Sequence, residues 1–364
     1  MSVIWIVNIC LAFVLCVFFA LTVIPRLLSI AIRYQIFDEP DERKIHKRQV
    51  PRLGGMAFMP VIFASLTVLL AFNLITEHYE LGVAISMEAR QLACAFCAIA
   101  LSYFVGIIDD LVGVRYKWKF AVQILCGLFL VGGGIVITDL HGLFFIHSIP
   151  QWLSVPLTVF VIVFVINAIN LIDGIDGLAA GLCTLAFLCY GTSFLYYGKS
   201  FDALLSFASV GSILPFFYFN VFGSAEKGKK IFMGDTGSMT LGVVLCIESI
   251  RLIPTAMLQG TAANPLVLAF APILIPCLDV IRVFLFRIWH GRNPFLPDRN
   301  HIHHKLMAAG MNQWQAMVTI VTAALLLTTI NSMLSYYLNP TLIFGADITL
   351  WVLACVVLSL ESET

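Results

Sequence analysis

Long apolar runs dominate the pattern of hydrophobic and polar positions along this chain. A helix needs about 20 apolar residues to cross the roughly 30 Å hydrocarbon core of a bilayer. Runs of that size lie near 3–25, 53–75, 90–108, 118–138, 152–171, 178–197, 202–222, 232–252, 264–286, 312–335 and 340–359. Because backbone polar groups in lipid must pair within their own segment, the pattern predicts an all-α polytopic membrane protein. We expect about eleven transmembrane helices in one integral membrane domain, residues 1–364.

The composition agrees with this interpretation. Of the 364 residues, 60% are hydrophobic and only 12% are charged, and the mean hydropathy is +0.96. These values exclude an ordinary soluble globular protein. The ten cysteines are scattered mostly inside apolar runs, which is typical of small buried side chains rather than of a disulfide or zinc framework.

Lysine and arginine are distributed unevenly among the segments that join these runs. They concentrate in 31–52, 109–119, 223–231 and 287–305, whereas the alternate segments carry little basic charge, namely Arg90, Lys199 and Arg251. By the positive-inside rule the first set is cytoplasmic, which predicts an external N-terminus and a cytoplasmic C-terminus. The polar motifs of the chain then all fall on the cytoplasmic face, at 38–55, 109–110, 173–176, 223–238 and 292–305. We therefore expect a functional site on that face.

One stretch, NAINLIDGIDGLAAG at 167–181, lies between two apolar runs. Its polar side chains Asn167, Asn170, Asp173 and Asp176 recur at every third position, and charge beside a membrane-length segment is usually kept for a site. Two glycines let the backbone leave the helix without strain. The stretch therefore predicts a helix end that opens into a short polar turn. An ordinary interhelical loop, where Asn, Asp and Gly are common, is the alternative.

Two further stretches place acids at helix ends. GIIDD ends the third run with Asp109 and Asp110, whose adjacent charges repel each other and the helix dipole, so that a divalent cation such as Mg²⁺ is the usual remedy. FMGDTGS opens the eighth run, where helix N-terminal amides favour phosphate and Asp235 is a candidate metal ligand or nucleophile. The alternatives are a solvated helix end whose acids pair with Lys117 or Lys119, and a simple capping turn.

The stretch PDRNHIHHKL concentrates imidazoles and cations. His301, His303 and His304 stand among Arg299 and Lys305. Clustered imidazoles without Cys or Glu partners make only a weak case for zinc. Beside two cations they fit an anion clamp for pyrophosphate better.

The stretch 38–55 is a mixed-charge loop with several candidates for binding nucleotide phosphate or lipid head groups. These are Lys44, His46, Lys47, Arg48 and Arg52. Juxtamembrane basic residues also bind anionic lipid and set topology, so a role of this loop in membrane contact alone is the alternative. Taken together, acids, a divalent cation and a ring of cations on one face suit phosphoryl transfer, in which positioning and charge neutralisation supply most of the catalysis.

These motifs together resemble the polyprenyl-phosphate N-acetylhexosamine-1-phosphate transferases of glycosyltransferase family 4. The resemblance covers nearly the whole chain, through RKIH, PRLGG, GIIDD, NAINLIDGIDGLAAG, FMGDTGS and PDRNHIHHKL. It is greatest with the branch that uses undecaprenyl phosphate and N-acetylglucosamine in O-antigen, common antigen or teichoic acid synthesis. The peptidoglycan branch typically has Pro-Leu-His-His-His where this chain has HIHH at 301–304, which favours the simpler sugar.

The resemblance implies that a UDP-N-acetylhexosamine and undecaprenyl phosphate react, with Mg²⁺ or Mn²⁺, to give undecaprenyl-diphosphate-sugar and UMP. It implies that Asn170 and Asp235 are metal ligands. The implied catalytic set is Asp109, Asp110, Asp173 and Asp176, the first two beside the metal and lipid phosphate and the last two on the nucleotide side. The implied substrate-binding residues are Lys44, His46, Arg48, Lys119, Asn220, Arg299, His301, His303 and His304.

The same resemblance implies a multi-pass protein of the bacterial inner membrane, surrounded by lipid, with no nucleic-acid partner. A homodimer is a further expectation. Two mechanisms stay open, direct attack by the lipid phosphate and a covalent aspartyl intermediate. The direct route asks less of the protein because a phosphomonoester, with a second pKa near 6, is already mostly dianionic at pH 7. A nucleotide-sugar or lipid-phosphate transporter is the alternative function, although transporters usually hold polar groups near the membrane midplane between repeats.

Overall fold

The structure is a computed structural model that describes residues 2–36, 50–258, 262–291 and 300–361. In those ranges every regular element is a helix, apart from one bridge between Asp139 and Ser148. The helices are α1 Val3–Arg33, α2 Phe58–Ile75, α3 Glu80–Met87, α4 Ala89–Val112, α5 Tyr116–Gly133, α6 Gln151–Ile172, α7 Leu178–Tyr196, α8 Ser200–Val221, α9 Gly234–Leu258, α10 Pro265–Phe270, α11 Leu274–Trp289, α12 Ile302–Ala308, α13 Gln313–Leu334 and α14 Pro340–Glu361. The predicted all-α polytopic class is confirmed.

Ten stretches of described helix are long and apolar enough to cross a membrane, and each matches one of the eleven predicted runs. The remaining run, 118–138, corresponds to α5, an 18-residue helix. Lys117, Lys119 and Gln123 lower the mean hydropathy of this helix. Its geometry nevertheless follows α4 from end to end. Lys119 lies beside Asp109 at one end of α4, and Gly133 packs against Cys94 near the other.

We call the end of the bundle that carries Asp109 and Lys119 the site end, and the opposite end the far end. Helix α1 finishes at the site end, where Ile32 approaches Gly228 in the loop between α8 and α9. Helix α14 also finishes there, because Lys305 on α12 donates to Ser359 near the end of α14. The two described chain ends therefore lie at opposite ends of the bundle, as an odd number of crossings requires. Which end faces the cytoplasm stays a prediction.

Helices α7, α8 and α9 and the stretch formed by α10 and α11 are the most buried of the membrane-length helices. Small residues permit this packing, since apolar lipid gives little drive for helix association and close backbone approach supplies contact instead. A Cβ at Gly242 of α9 would lie 2.9 Å from the Ile166 Cα on α6. A Cβ at Gly191 of α7 would lie 2.9 Å from the Phe207 ring on α8. The helices that present the site are thus held by contacts that leave no room for a methyl group.

Arg251 corrects one detail of the sequence interpretation. The eighth run was predicted to end near residue 252, and Arg251, at this boundary, was counted with the segment that follows the run. Helix α9 instead continues to Leu258, and Arg251 lies inside it. Three side chains accept hydrogen bonds from its guanidinium, each at 2.5 Å, namely Asp202, Gln91 and Glu88. Pairing of this kind makes a cation tolerable within a membrane-spanning helix.

The approach of α4 to α9 generates the first testable prediction. A Cβ on Gly106 of α4 would lie 2.8 Å from the backbone nitrogen of Thr236 and closer still to its Cα. We expect Gly106→Ala to push the two helices apart and to lower the free energy of unfolding by about 1–3 kcal/mol, the usual range for overpacking. The melting temperature of the purified protein in detergent measures this effect.

Gly132→Ala is the matched control, because Gly132 is also helical and a Cβ there would have nothing within 4 Å. This control should be neutral or slightly stabilising, since alanine favours a helix over glycine. Equal melting temperatures for the two variants would contradict the proposed close approach.

Candidate active site at one end of the bundle

An ion-paired lysine joins three helices at the site end. Lys119 Nζ, in the first turn of α5, lies 2.6 Å from Asp109 Oδ2 at the end of α4. The same nitrogen lies 2.5 Å from Asp235 Oδ2 at the start of α9. The pairing of a lysine with the acids, one of the alternatives raised by the sequence, is therefore present. About a quarter of the Lys119 and Asp235 side chains is exposed, so incoming ligands can reach them.

Asp110 has a different environment from its neighbour Asp109. Its Oδ1 accepts a hydrogen bond from the Asp235 backbone N–H at 2.7 Å. Its Oδ2 accepts bonds from the backbone N–H and the hydroxyl of Thr236, at 2.9 and 2.6 Å. Gly234, with φ of +72°, opens α9 and lies against this carboxylate. Asp110 therefore caps the first turn of α9, where helix N–H groups otherwise lack partners.

Asn170 brings the end of α6 to the same point. Its Nδ2 donates to Asp235 Oδ1 at 2.7 Å and to Ser238 Oγ at 2.8 Å. The predicted metal ligands Asn170 and Asp235 are therefore adjacent. Asn167, one turn earlier, donates to Gln123 Oε1 on α5 at 2.6 Å and lies deeper in the bundle.

The turn predicted after α6 is also present, since α6 ends at Ile172 and α7 begins at Leu178. Asp173 lies at its start and has no hydrogen-bond partner among the described residues. Burial, followed by repulsion from the nearby charges of Asp235 and Asp176, raises the pKa of Asp173 to about 7. Asp176 is compensated differently, because Lys230 Nζ lies 2.5 Å from its Oδ2.

Asn220 is buried, and it uses both ends of its amide to hold the turn. Its Oδ1 accepts the backbone N–H of Gly177 at 2.6 Å, and its Nδ2 donates to the Ile231 carbonyl at 2.8 Å. It thereby joins the start of α7 to the segment that leads into α9. Contact of Asn220 with substrate, implied by the resemblance, stays a prediction.

The three predicted histidines lie at the start of the short helix α12. His301 is the residue before the helix, and its Nδ1 lies 2.8 Å from Asp279 Oδ2 on α11. The buried ring of His303 packs against Gly174, next to Asp173. Burial, together with the neighbouring imidazoles, lowers the pKa of His303 to about 3, so its ring is neutral at physiological pH. His304 lies beside it, with ring centres 4.2 Å apart.

Four of the predicted substrate-binding residues lie outside the described residues, and the structure does not place them. These are Lys44, His46, Arg48 and Arg299. Sequence reasoning in turn missed Asp279, Arg282 and Lys230 as partners of predicted residues. Asp279 carried a usable signal, because an acid inside an apolar run needs a partner and is usually retained for function.

The donor chemistry at the site end is that of hard oxygen ligands. Carboxylates of Asp109, Asp173 and Asp235 and the amide of Asn170 are brought to the ends of α4, α6 and α9. Within the described ranges, no three His, Cys, Asp or Glu side chains converge closely enough to form a ready-made metal cage. An arrangement of few protein ligands is what Mg²⁺ uses when water and substrate phosphates complete its shell.

Comparison with known proteins agrees with the motifs. Residues 92–253 match the profile of Glycosyl transferase family 4, which includes α4, α6 and the start of α9. A Bacillus subtilis relative, a "probable undecaprenyl-phosphate N-acetylglucosaminyl 1-phosphate transferase", is 32% identical over 86% of this chain and 81% of its own length.

Two further relatives are named undecaprenyl-phosphate alpha-N-acetylglucosaminyl 1-phosphate transferase. The Yersinia pestis protein is 35% identical over 83% of this chain and 78% of its own length. The Escherichia coli K12 protein is 31% identical over 85% and 79% of the two chains. Identity of this extent, across the helices that build the site, shows that the chain belongs to glycosyl transferase family 4.

Proposed function

We propose that this chain transfers N-acetylglucosamine 1-phosphate from UDP-N-acetylglucosamine to undecaprenyl phosphate, giving undecaprenyl-diphosphate-N-acetylglucosamine and UMP. The observation that carries the proposal is the meeting of Asp109, Asn170, Asp173 and Asp235 with Lys119 at one end of a membrane-spanning bundle. Phosphoryl transfer depends on such positioning and charge neutralisation. The names of the relatives describe the same reaction.

An apolar cavity of about 330 Å³ supports a lipid substrate. It lies between α6, α11 and α14, and its lining runs from Leu140 and Phe144, in the segment before α6 at the far end, to Val165 on α6. Five residues, about 7.5 Å along a helix, separate Val165 from Asn170. The Val165 end of the cavity is therefore the end from which a bound prenyl chain would extend along α6 toward the site end.

The residues at the site end fit Mg²⁺ or Mn²⁺. Asp173 offers a carboxylate that has no hydrogen-bond partner in the described ranges, and burial, followed by the charges of Asp235 and Asp176, raises its pKa. Asp235 and the amide oxygen of Asn170 complete an oxygen donor set. Bound there, the ion would neutralise the diphosphate and the developing charge on the leaving UMP.

The chain's own residues then have distinct parts in a direct transfer. An oxygen of the lipid phosphate forms a bond to the sugar-bearing phosphorus, and the bond from that phosphorus to the UMP oxygen breaks. Lys119 can hold a phosphate oxygen with its ammonium group. Asp109, paired to Lys119, can take any residual proton from the lipid phosphate. Asp110 holds α9, and with it Asp235, in place.

The proposal also places the protein in the bacterial inner membrane, at the first membrane step of a cell-envelope polysaccharide. Mixed basic residues around the site end, such as Lys227, Lys229 and Lys230, support a cytoplasmic location for that end. A homodimer stays a prediction.

Turnover tests the function. Purified protein with undecaprenyl phosphate and Mg²⁺ should release UMP from UDP-N-acetylglucosamine, and slowly or not at all from UDP-N-acetylgalactosamine or the UDP-muramoyl-pentapeptide.

Chelation of the metal should abolish UMP release, because the acids at the site end would stay uncompensated, and Mg²⁺ or Mn²⁺ should restore it. Full turnover in excess chelator would remove the metal from the proposal. Flux of nucleotide sugar across vesicles without UMP release would indicate a transporter instead.

Proton release on metal binding gives a second prediction. Since the pKa of Asp173 is about 7, this carboxyl is about half protonated at pH 7. A cation beside it lowers the pKa, so that binding of Mg²⁺ at pH 7 should release protons. At pH 8.5 Asp173 is already ionised, and the release should fade. Isothermal titration calorimetry in two buffers of different ionisation enthalpy measures the released protons. The same proton release at both pH values would show that Asp173 is not the group responsible.

The order of bond changes gives a third prediction. If the lipid phosphate attacks directly, enzyme mixed with UDP-N-acetylglucosamine and Mg²⁺ should release no UMP until undecaprenyl phosphate is added. A covalent route would release one UMP per enzyme in a burst without lipid, as ping-pong chemistry does. Quenched-flow measurement of UMP against enzyme concentration distinguishes the two. A stoichiometric burst in the absence of lipid would overturn direct attack.

A further inference from the structure

A buried carboxylate on α11 lies behind the histidine segment. Asp279 is fully buried, within a helix whose surroundings are otherwise largely apolar. Its Oδ2 lies 2.8 Å from His301 Nδ1, and its Oδ1 accepts the backbone N–H of Ile302 at 3.0 Å. Arg282, one turn along α11, donates to Oδ1 at 2.9 Å. Three donors therefore share the two oxygens of one carboxylate.

Each of these bonds constrains residues 300–302. Arg282 also donates to the carbonyl of Asn300. The Ile302 N–H belongs to the first turn of α12, so the carboxylate accepts from the start of that helix, where its charge is favourable. Asp279 and Arg282, spaced i and i+3, thus fix the point where the chain enters α12.

The bond to His301 also fixes the proton on its ring. A carboxylate only accepts hydrogen bonds, so Nδ1 must carry the proton. The other nitrogen, Nε2, has no partner among the described residues. It is left for a ligand, as an acceptor when the ring is neutral and as a donor when the ring is protonated. The adjacent His303 meets Gly174 beside Asp173, which ties α12 to the aspartate site.

We infer that Asp279 is a positioning residue for the transferase reaction, which sets the tautomer and orientation of His301 toward the sugar-diphosphate. This inference rests on the proposed function for its substrate. The contact with Asp279 itself does not depend on that function. Carboxylates that orient metal-bound imidazoles typically change activity by about 10- to 100-fold when they are removed, and we expect the same range for an imidazole that binds a diphosphate. An amide at position 279 can turn its NH₂ toward His301, which favours the opposite tautomer.

The substitution that tests this is Asp279→Asn, which keeps the size of the side chain. We expect kcat/KM for UDP-N-acetylglucosamine to fall by about 10- to 100-fold. Asp202→Asn is the matched control, because Asp202 is also buried and also accepts from an arginine, Arg251, but lies at the far end. The control should stay within about twofold of the wild type, and melting temperatures of both variants measure their folding.

A double-substitution cycle distinguishes positioning from general damage. If Asp279 acts through His301, Asp279→Asn should cause no further loss in a His301→Gln background, since coupled residues are not additive. Multiplying losses in the double variant, or an unchanged kcat/KM in Asp279→Asn, would overturn the inference. Absence of UMP release by the wild type would instead count against the proposed function.

Nitrogen-15 NMR of histidine-labelled protein in detergent gives a readout that needs no turnover. The His301 signals, assigned by their loss in His301→Gln, should show the Nδ1–H form in the wild type. In Asp279→Asn they should shift toward the Nε2–H form or toward a mixture of both. An Nδ1–H signal that is unchanged in Asp279→Asn would contradict the inference even if the variant had lost activity.

Discussion

Negative charge gathered at the end of an apolar bundle is the constraint on which this structure depends. Asp109, Asp110, Asp173, Asp176 and Asp235 come from three chain segments that meet at the site end, namely the end of α4, the turn between α6 and α7, and the start of α9. Like charges in a partly buried place repel one another and are poorly solvated. The ammonium groups of Lys119 and Lys230 and the backbone N–H groups at the start of α9 compensate part of this negative charge. Each of these contacts also joins two segments of the chain, so the same contacts compensate the charge and position the helices.

The cap that Asp110 places on α9 shows this link most directly. The carboxylate belongs to α4, the capped N–H groups belong to α9, and Gly106 permits the two backbones to approach. Small residues between helices usually serve packing in membranes. Here the close approach also brings Asp235 into reach of Lys119 and Asn170. A methyl group at Gly106 therefore acts on the site as well as on the bundle.

Much of this arrangement could be predicted from the sequence. Run length located the helices, because lipid demands internally bonded segments. The motif positions placed Asp109, Asn170 and Asp235 at helix ends. The separate tasks of Asp109 and Asp110 could not be predicted, because adjacent residues on a helix point about 100° apart and only the neighbouring helices decide what each meets. The contact between His301 and Asp279 could not be predicted either, because the two residues are 22 positions apart in the chain. Arg251 was misplaced because hydropathy alone ended α9 too early.

The number of donors around each acid sorts the carboxylates into two kinds. Asp110 accepts three hydrogen bonds from the start of α9, and Asp279 accepts two from residues 301–302 and one from Arg282 on its own helix, which leaves both carboxylates little capacity for a ligand. Asp173 accepts none within the described part of the chain. A carboxylate with its oxygens fully engaged in hydrogen bonds has little freedom to move and so is suited to holding structure. An unsaturated one gains most when a cation arrives. Binding energy from metal and diphosphate would therefore be concentrated at Asp173 and its neighbours, while the saturated acids keep α9 and α12 in place.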